Sequence, residues 1–474
     1  MSARDELREQ TQVASLNGNG HGPARSFALT DLGNCERLVA MHGPDVRYAP
    51  GVGWLAWDGR RWRADDTGEL LRRAKQTARA IYHDAANCED DDERKRILSW
   101  ARASESEPRL RAMVSLAASE RPVVVLGDQL DADPWLLTVQ NGTINLRTGK
   151  LQPHDREDLI TKLAPVRYDA DARSERWEGF LDRTTGGDAE LRSFLQRIAG
   201  YTIAGVTDEE ILAFPHGPGA TGKTTAVEAI RSAIGEYGCT ADFETFLARR
   251  GDAGIRNDVA RLAGARMVVS VEVEDGKRLA EGLIKQLTGG DKIAARFLHR
   301  EFFEFTPRFT LWLVANARPR AHSDDDALWR RILQIPFTVV IPPEERDPEL
   351  KRALRTDPAE QTAILAWLVQ GCLQWQKRGL DVPERVTRYT AEYRQENDPL
   401  AEWITDECLL GEEHWTPAPA LRAAYERWCE GAGIEPINAS RAWGKALKAR
   451  DCNREKRHVG HGWHGIALMT RSPS

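Results

Sequence analysis

Polar and apolar positions divide the chain into stretches of different period. Residues 1–25 are mainly polar, with Asn17-Gly18-Asn19-Gly20-His21-Gly22 toward their end, and predict a flexible tail. From 26 to 200 the pattern is mixed. Trp54, Ala56 and Trp57-Asp58-Gly59-Arg60-Arg61-Trp62 predict a hairpin with Asp-Gly at its turn. A helical period follows over Glu69–Ala86, and the acidic run Glu89-Asp90-Asp91-Asp92-Glu93 suits the N-terminal end of a further helix. Residues 135–151 predict strands turning at Asn141-Gly142 and Thr148-Gly149, and Asp188–Ala199 an amphipathic helix.

Between 201 and 340 the pattern becomes an alternation. Ile211–Phe214, Ala265–Val271 and Phe309–Ala315 are apolar runs of strand length, and Thr224–Ile234 has a helical period. Strands spaced by helices predict a parallel sheet in a three-layer α/β domain. Residues 357–383 are helical in period and end near Pro383, a linker or helical bridge covers 384–400, and two or three short helices precede an aromatic, glycine-punctuated stretch at His458–Met469. The expected division is a tail at 1–25, an α+β domain at 26–200, the alternating domain at 201–385, and a linker with a small terminal domain at 386–474.

Composition narrows the class. The 474 residues are 41% hydrophobic and 29% charged, enough apolar material for packed cores. No apolar run has the length of a membrane helix, and residues 1–25 lack the apolar core of a secretory signal. The seven cysteines form no C-x-x-C pair, which predicts a reducing setting such as a host bacterial cytoplasm. The net charge of −6 conceals an asymmetry: residues 440–474 carry eight Lys/Arg against two acids. Contact with a polyanion is therefore expected to be confined to local basic surfaces.

Chemistry concentrates in the alternating domain. Gly217-Pro218-Gly219-Ala220-Thr221-Gly222-Lys223-Thr224 matches G-x-x-x-x-G-K-[ST] between a predicted strand and a predicted helix. Glycines let backbone N–H groups curl around phosphates at a helix N-terminus, where Lys223 would reach the β/γ-phosphates and Thr224, followed by Thr225, would meet Mg²⁺. Val268–Val271 runs into Glu272, a candidate metal-side acid, and Glu274, which is either a candidate base or part of a solvated turn. Leu311–Ala315 ends in Asn316, a candidate for positioning water at the same edge or a turn cap before Pro319. Arg330 and Arg331 are either surface ion-pair partners or guanidiniums supplied to a neighbouring subunit's ATP. Lys292, Arg296, His299 and Arg300 lie on a predicted hairpin with Phe302, Phe303 and Phe305, a composition suited to a single-strand phosphate track.

In this order, the elements resemble superfamily 3 helicases, nearest to the phage and plasmid primase–helicase family that includes poxvirus-type helicase-primases. The resemblance covers about residues 45–400. It includes the 217–224 loop, the Glu272 strand, Lys285…Thr288-Gly289-Gly290-Asp291…Arg296, the strand ending in Asn316, and Trp329-Arg330-Arg331-Ile332…Ile335-Pro336-Phe337. Upstream it includes Trp57-Asp58-Gly59…Trp62, Asn141–Leu146, Thr148-Gly149, Trp177 and Gln196–Tyr201. The resemblance implies an AAA+-like P-loop NTPase core, a helicase-associated N-terminal domain, and an ATP- and Mg²⁺-dependent hexameric ring moving on single-stranded and forked DNA. It matches Lys223 and Thr224 to the phosphate and Mg²⁺ positions, Glu272 to the metal-side acid, Asn316 to the sensor, and Arg330 or, by preference, Arg331 to the trans arginine.

Two departures stand out. Too few residues precede the helicase-associated region for the primase domain many relatives carry, so primase activity is not expected and a separate primase is an expected partner. Val273 separates Glu272 from Glu274 where some related helicases set two acids side by side. The terminal segment resembles a winged helix, with Arg441, Lys445 and Lys448 on its recognition helix and Arg454, Lys456 and Arg457 on its wing. Two other classes remain open from the sequence: an origin-binding initiator that uses ATP only to assemble, and a regulatory ATPase indifferent to DNA.

Overall fold

The computed structural model describes residues 27–248, 257–271, 277–296, 302–321, 325–432, 436–437, 440–458 and 460–469. Residue contacts divide it into two units: one runs to Ala132 and takes in Leu159–Thr161, the other holds Asp133–Asp158 and the chain from Lys162 onward.

The first unit is α+β. Helix α1 (Asp31–His42) is capped by the Thr30 hydroxyl, which accepts from the Gly33 amide at 3.1 Å. Strands β1 (Val46–Ala49), β2 (Gly53–Trp57) and β3 (Trp62–Ala64) form an antiparallel sheet in which Trp57 pairs with Trp62 across the Asp58–Arg61 turn. Helix α2 (Glu69–Ala86) covers the predicted helical stretch, and Asp90 of the acidic run caps α3 (Asp91–Ser104) by accepting from the Glu93 amide at 2.7 Å. Helix α4 (Glu107–Ala117) completes a small core of Cys35, Leu38, Ala74, Ala78, Leu110 and Met113. Trp62 is fully buried, and the Arg47 guanidinium lies 4.6 Å from its ring centre.

The second unit opens with the meander β4 (Leu136–Val139), β5 (Gly142–Asn145) and β6 (Lys150–Gln152), turning where Asn141-Gly142 and Thr148-Gly149 predict. Helices α5 (Glu175–Thr185) and α6 (Ala189–Ile203) follow, capped by Ser174 and Asp188. Then come β7 (Leu212–His216), α7 (Lys223–Ile234), β8 (Gly238–Thr240), β9 (Met267–Val271) and α8 (Glu281–Thr288). The hairpin β10 (Ile293–Arg296) and β11 (Phe302–Phe305) leads to β12 (Thr310–Val314) and β13 (Ile332–Pro336).

Five of these strands form one fully parallel sheet in the order β13-β7-β12-β9-β8. After β7 the chain crosses to the far edge, returns inward through β9 and β12, and then passes beyond β7 to β13. The crossovers leaving β7 and β12 run in opposite directions, which opens a crevice at the carboxyl ends of these two neighbours. Both faces of the sheet are buried. Ala213, Val269, Trp312 and Ile335 face one core cluster and Leu212, Phe214, Leu311 and Leu313 the other, so the strands carry near-continuous apolar runs.

Helices α9 (Pro348–Thr356), α10 (Pro358–Arg378) and α11 (Glu384–Glu396) follow the sheet. Helix α10 packs on α6 with almost no gap. A Cβ on Gly371 would lie 2.0 Å from the Gln196 carbonyl oxygen, and one on Gly200 would lie 2.0 Å from the Cys372 nitrogen. The chain ends in α12 (Pro399–Glu407), β14 (Cys408–Pro417), α13 (Ala418–Ala432), α14 (Ser440–Lys448), β15 (Asn453–Arg457) and β16 (Gly460–Leu468), with sheet order β14-β16-β15. Trp403, Tyr425, Trp443, Leu447 and Ile466 centre the core of these last elements.

Candidate functional site

Residues 217–222 loop out of the carboxyl end of β7 and back into α7 at Lys223. Glycine is required there by more than one contact. Gly217 has φ +150°, and a Cβ would stand 2.0 Å from the Phe337 carbonyl oxygen. Gly222 has φ +86°, and a Cβ would stand 2.5 Å from Thr184 Cγ2. The loop is pinned by β13 and the chain after it: the Phe337 amide donates to the His216 carbonyl at 2.8 Å and the Ile341 amide to the Ala220 carbonyl at 2.9 Å.

Lys223 is 5% exposed, with its ammonium folded inward. It donates to the carbonyls of Gly217 and Pro218, both at 2.7 Å, to Thr221 Oγ1 at 3.3 Å, and to Asn316 Oδ1 at 2.9 Å. Burial lowers its pKa to about 8. Four oxygens thus hold a cation at the mouth of a loop whose Gly219 has open space before it. Asn316 follows β12, so the Lys223–Asn316 bond joins the ends of the two strands that flank the crevice. Thr224 and Thr225 lie half-buried in the first turn of α7. A desolvated ammonium, a first-turn threonine and the N-terminus of α7 lie together here, a donor set whose chemistry fits a phosphate and its Mg²⁺. Glu272 and Glu274 lie outside the described residues.

A second layer escaped the motif reading. His216 directly precedes the loop, and its Nδ1 lies 2.9 Å from the Tyr389 hydroxyl on α11. Burial lowers its pKa to about 4, reinforced by the charges of Arg318 and Lys223, so the ring is neutral at physiological pH. Arg318 lies two positions past Asn316. It stacks over the Tyr389 ring at 4.8 Å, donates to Gln334 Oε1 at 2.8 Å, and pairs with Glu396. The signals available in sequence were a histidine abutting the loop and an arginine two places after the candidate asparagine. Neither has a distinctive spacing.

Arg330 and Arg331 lie elsewhere. They precede β13 at the amino edge of the parallel sheet, whereas the glycine loop lies at the carboxyl edge. One five-residue strand separates the edges, about 16 Å at 3.3 Å per residue. The two arginines differ. Arg331 has only 8% of its side chain exposed, donating to the Ala327 carbonyl and to Glu210, both at 2.6 Å; Arg330 has 65% exposed and meets Glu210 at 3.1 Å. The sequence preference was for Arg331 as the residue that reaches outward. Burial commits Arg331 to its own chain, and Arg330 is the one facing solvent.

The β10–β11 hairpin pairs Ile293 with Phe305 and Arg296 with Phe302. Ile293 and Ala295 point inward, Lys292 is exposed, and Arg296 is half-buried. His299 and Arg300 lie outside the described residues. On α14, Arg441, Lys445 and Lys448 are all exposed while Trp443 and Leu447 are buried, so the three cations share the outward face. Lys445 also lies 3.8 Å from Asp326. Arg454, Lys456 and Arg457 are exposed on β15.

Residues 35–186 match the family described as "D5 N terminal like". A "Putative helicase" of Acanthamoeba polyphaga mimivirus is 27% identical over 296 residues, which is 58% of this chain and 31% of that protein. A "Putative helicase" of Frog virus 3 (isolate Goorha) is 26% identical over 297 residues, 59% of this chain and 30% of that protein. The chain thus spans less than a third of the length of these curated relatives. Among solved structures, the apo NrS-1 C-terminal region aligns with a TM-score of 0.50 at 13% identity, covering 92% of this chain and 99% of that one, a likeness of fold. No helix among the described residues is long and apolar enough to cross a membrane.

Proposed function

We propose that this chain, a D5-like relative of the superfamily 3 helicases, is an ATP-driven helicase that separates DNA strands in replication of a phage, plasmid or other mobile element. The observation that carries the reading is the Lys223–Asn316 bond, which joins the glycine loop after β7 to the end of β12 at the switch point of a parallel sheet. That strand order and loop position support an AAA+-like P-loop core.

ATP, when bound with Mg²⁺, supplies the phosphoryl group whose transfer to water releases energy. Lys223 would exchange its loop carbonyls for the β/γ-phosphates, Thr224 and Glu272 would hold Mg²⁺, Glu274 is the candidate base, and Asn316 would orient the attacking water. Arg330 cannot serve its own chain's loop from the opposite sheet edge. The reading therefore needs a homo-oligomer, a ring of six by resemblance, in which Arg330 completes the neighbour's site. Lys292, Arg296, His299 and Arg300 track single-stranded DNA from the hairpin. The terminal elements form a winged helix whose α14 meets DNA through Arg441, Lys445 and Lys448.

The test is a forked-duplex unwinding assay with a 3′ or a 5′ tail, run beside Lys223→Ala. ATP hydrolysis stimulated by single-stranded DNA, unwinding on one tail polarity, and loss of both in the variant are expected. Hydrolysis with no binding or unwinding of any DNA overturns the reading in favour of a regulatory ATPase. Site-specific protection of DNA without unwinding points instead to an initiator.

A further inference from the structure

Glu210 is bound to both members of the arginine pair, and its backbone is held to a demanding geometry. Glu210 Oε2 accepts from Arg331 Nη2 at 2.6 Å and from Arg330 Nη2 at 3.1 Å. One carboxylate oxygen thus lies between two adjacent guanidiniums that would otherwise repel each other. Its φ is +51°, a left-handed conformation that disfavours non-glycine residues. The strain is held by the neighbouring chain: the Glu210 amide donates to the Thr207 carbonyl at 2.9 Å, the Glu209 amide to the Tyr201 hydroxyl at 3.2 Å, and Trp375 Nε1 to Glu209 Oε1 at 2.6 Å. Backbone strain that the surroundings enforce is characteristic of groups held for a purpose. The Leu212 amide, two residues on, donates to the Arg331 carbonyl at 2.7 Å, so the turn and the arginines share one backbone anchor.

We propose that Glu210 is a positioning residue. It pins Arg331 inside its own chain and thereby aims the exposed Arg330 at the nucleotide site of the neighbouring subunit. The inference rests on the trans role of Arg330 given above. Glu210 touches neither nucleotide nor DNA. Its effect is on the chemical step next door, not on nucleotide binding at home.

Glu210→Ala should lower kcat for ATP at least about tenfold while KM and the binding of a fluorescent ATP analogue stay within about twofold. Glu210→Gln keeps an acceptor oxygen and should recover part of kcat, which separates positioning from a folding defect. Assemblies mixed from Glu210→Ala and Lys223→Ala chains decide the matter. The first brings an intact loop and the second an intact arginine pair, so hydrolysis should rise above that of either chain alone. Arg330→Ala mixed with Lys223→Ala is the reference. If that reference pair complements and the Glu210→Ala pair does not, or if Glu210→Ala is as active as the unaltered protein, the proposal is overturned. It is also overturned if both Glu210 variants lose nucleotide binding. If the reference pair itself fails to complement, the trans reading of Arg330 falls and takes this proposal with it.

Discussion

Replacing Gly371 by alanine sets helix propensity against packing, and the structure says which wins. In an exposed helix interior, Gly→Ala gains up to about 1 kcal/mol. Gly371 lies inside α10, but its added Cβ would stand 2.0 Å from the Gln196 carbonyl oxygen of α6, a backbone atom that no rotamer change can move. Ordinary C···O contacts are about 3.3–3.6 Å, so the helices must part by roughly an ångström. That opening also disturbs the reciprocal contact, where Gly200 of α6 faces the Cys372 nitrogen at the same spacing. Overpacking of this kind costs about 1–3 kcal/mol where side chains can yield, and the upper end applies where only backbone can. Subtracting the propensity gain leaves a loss of about 2 kcal/mol, a fall in melting temperature of roughly 3 °C for a unit of about 340 residues. The control is Gly179→Ala. Gly179 is exposed within α5 and has nothing within 4 Å of its missing Cβ, so there alanine should stabilise. Thermal unfolding followed by circular dichroism reads both. Movement of the two variants in the same direction would refute the packing account.

Two further predictions concern charge. His216, kept neutral by burial and nearby cations with a pKa of about 4, would take up a proton near pH 6.5 once unfolded. Between these values the unfolded chain binds more protons, so stability falls as pH drops from about 6.5 toward 4. His216→Gln should therefore lose less melting temperature over that window than the unaltered protein, and parallel pH curves would show that His216 is not the group responsible. Replacing Arg441, Lys445 and Lys448 together by alanine should flatten the log–log salt dependence of duplex binding by about 2–3, measured by fluorescence anisotropy; an unchanged slope removes this face of α14 from DNA contact.

Legibility followed the range of the interaction. The glycine loop was visible because the motif it matches is local: glycines, lysine and hydroxyl follow one another within a few residues. The Trp57–Trp62 hairpin, the Asn141-Gly142 turn and the strand runs ending at Val271 and before Asn316 were visible for the same reason, since turn chemistry and burial on both sheet faces leave marks on neighbouring residues. His216, Tyr389 and Arg318 were not. Their relation exists only because α11 brings Tyr389 back to the sheet, 173 residues after His216, and nothing in the intervening chain encodes the distance.

The arginine pair marks the boundary most clearly. Sequence alone placed Arg330 and Arg331 just before an apolar strand and gave no physical means of telling them apart, because adjacent residues with the same side chain share every local property. Only tertiary structure assigned burial to one and solvent to the other, through Ala327 and Glu210. Only the parallel direction of β7 and β13 set both arginines a strand's length from their own chain's glycine loop. Local chemistry specifies what each segment can do. Strand order and crossover direction, which depend on the cooperative burial of the whole sheet, decide which segments meet.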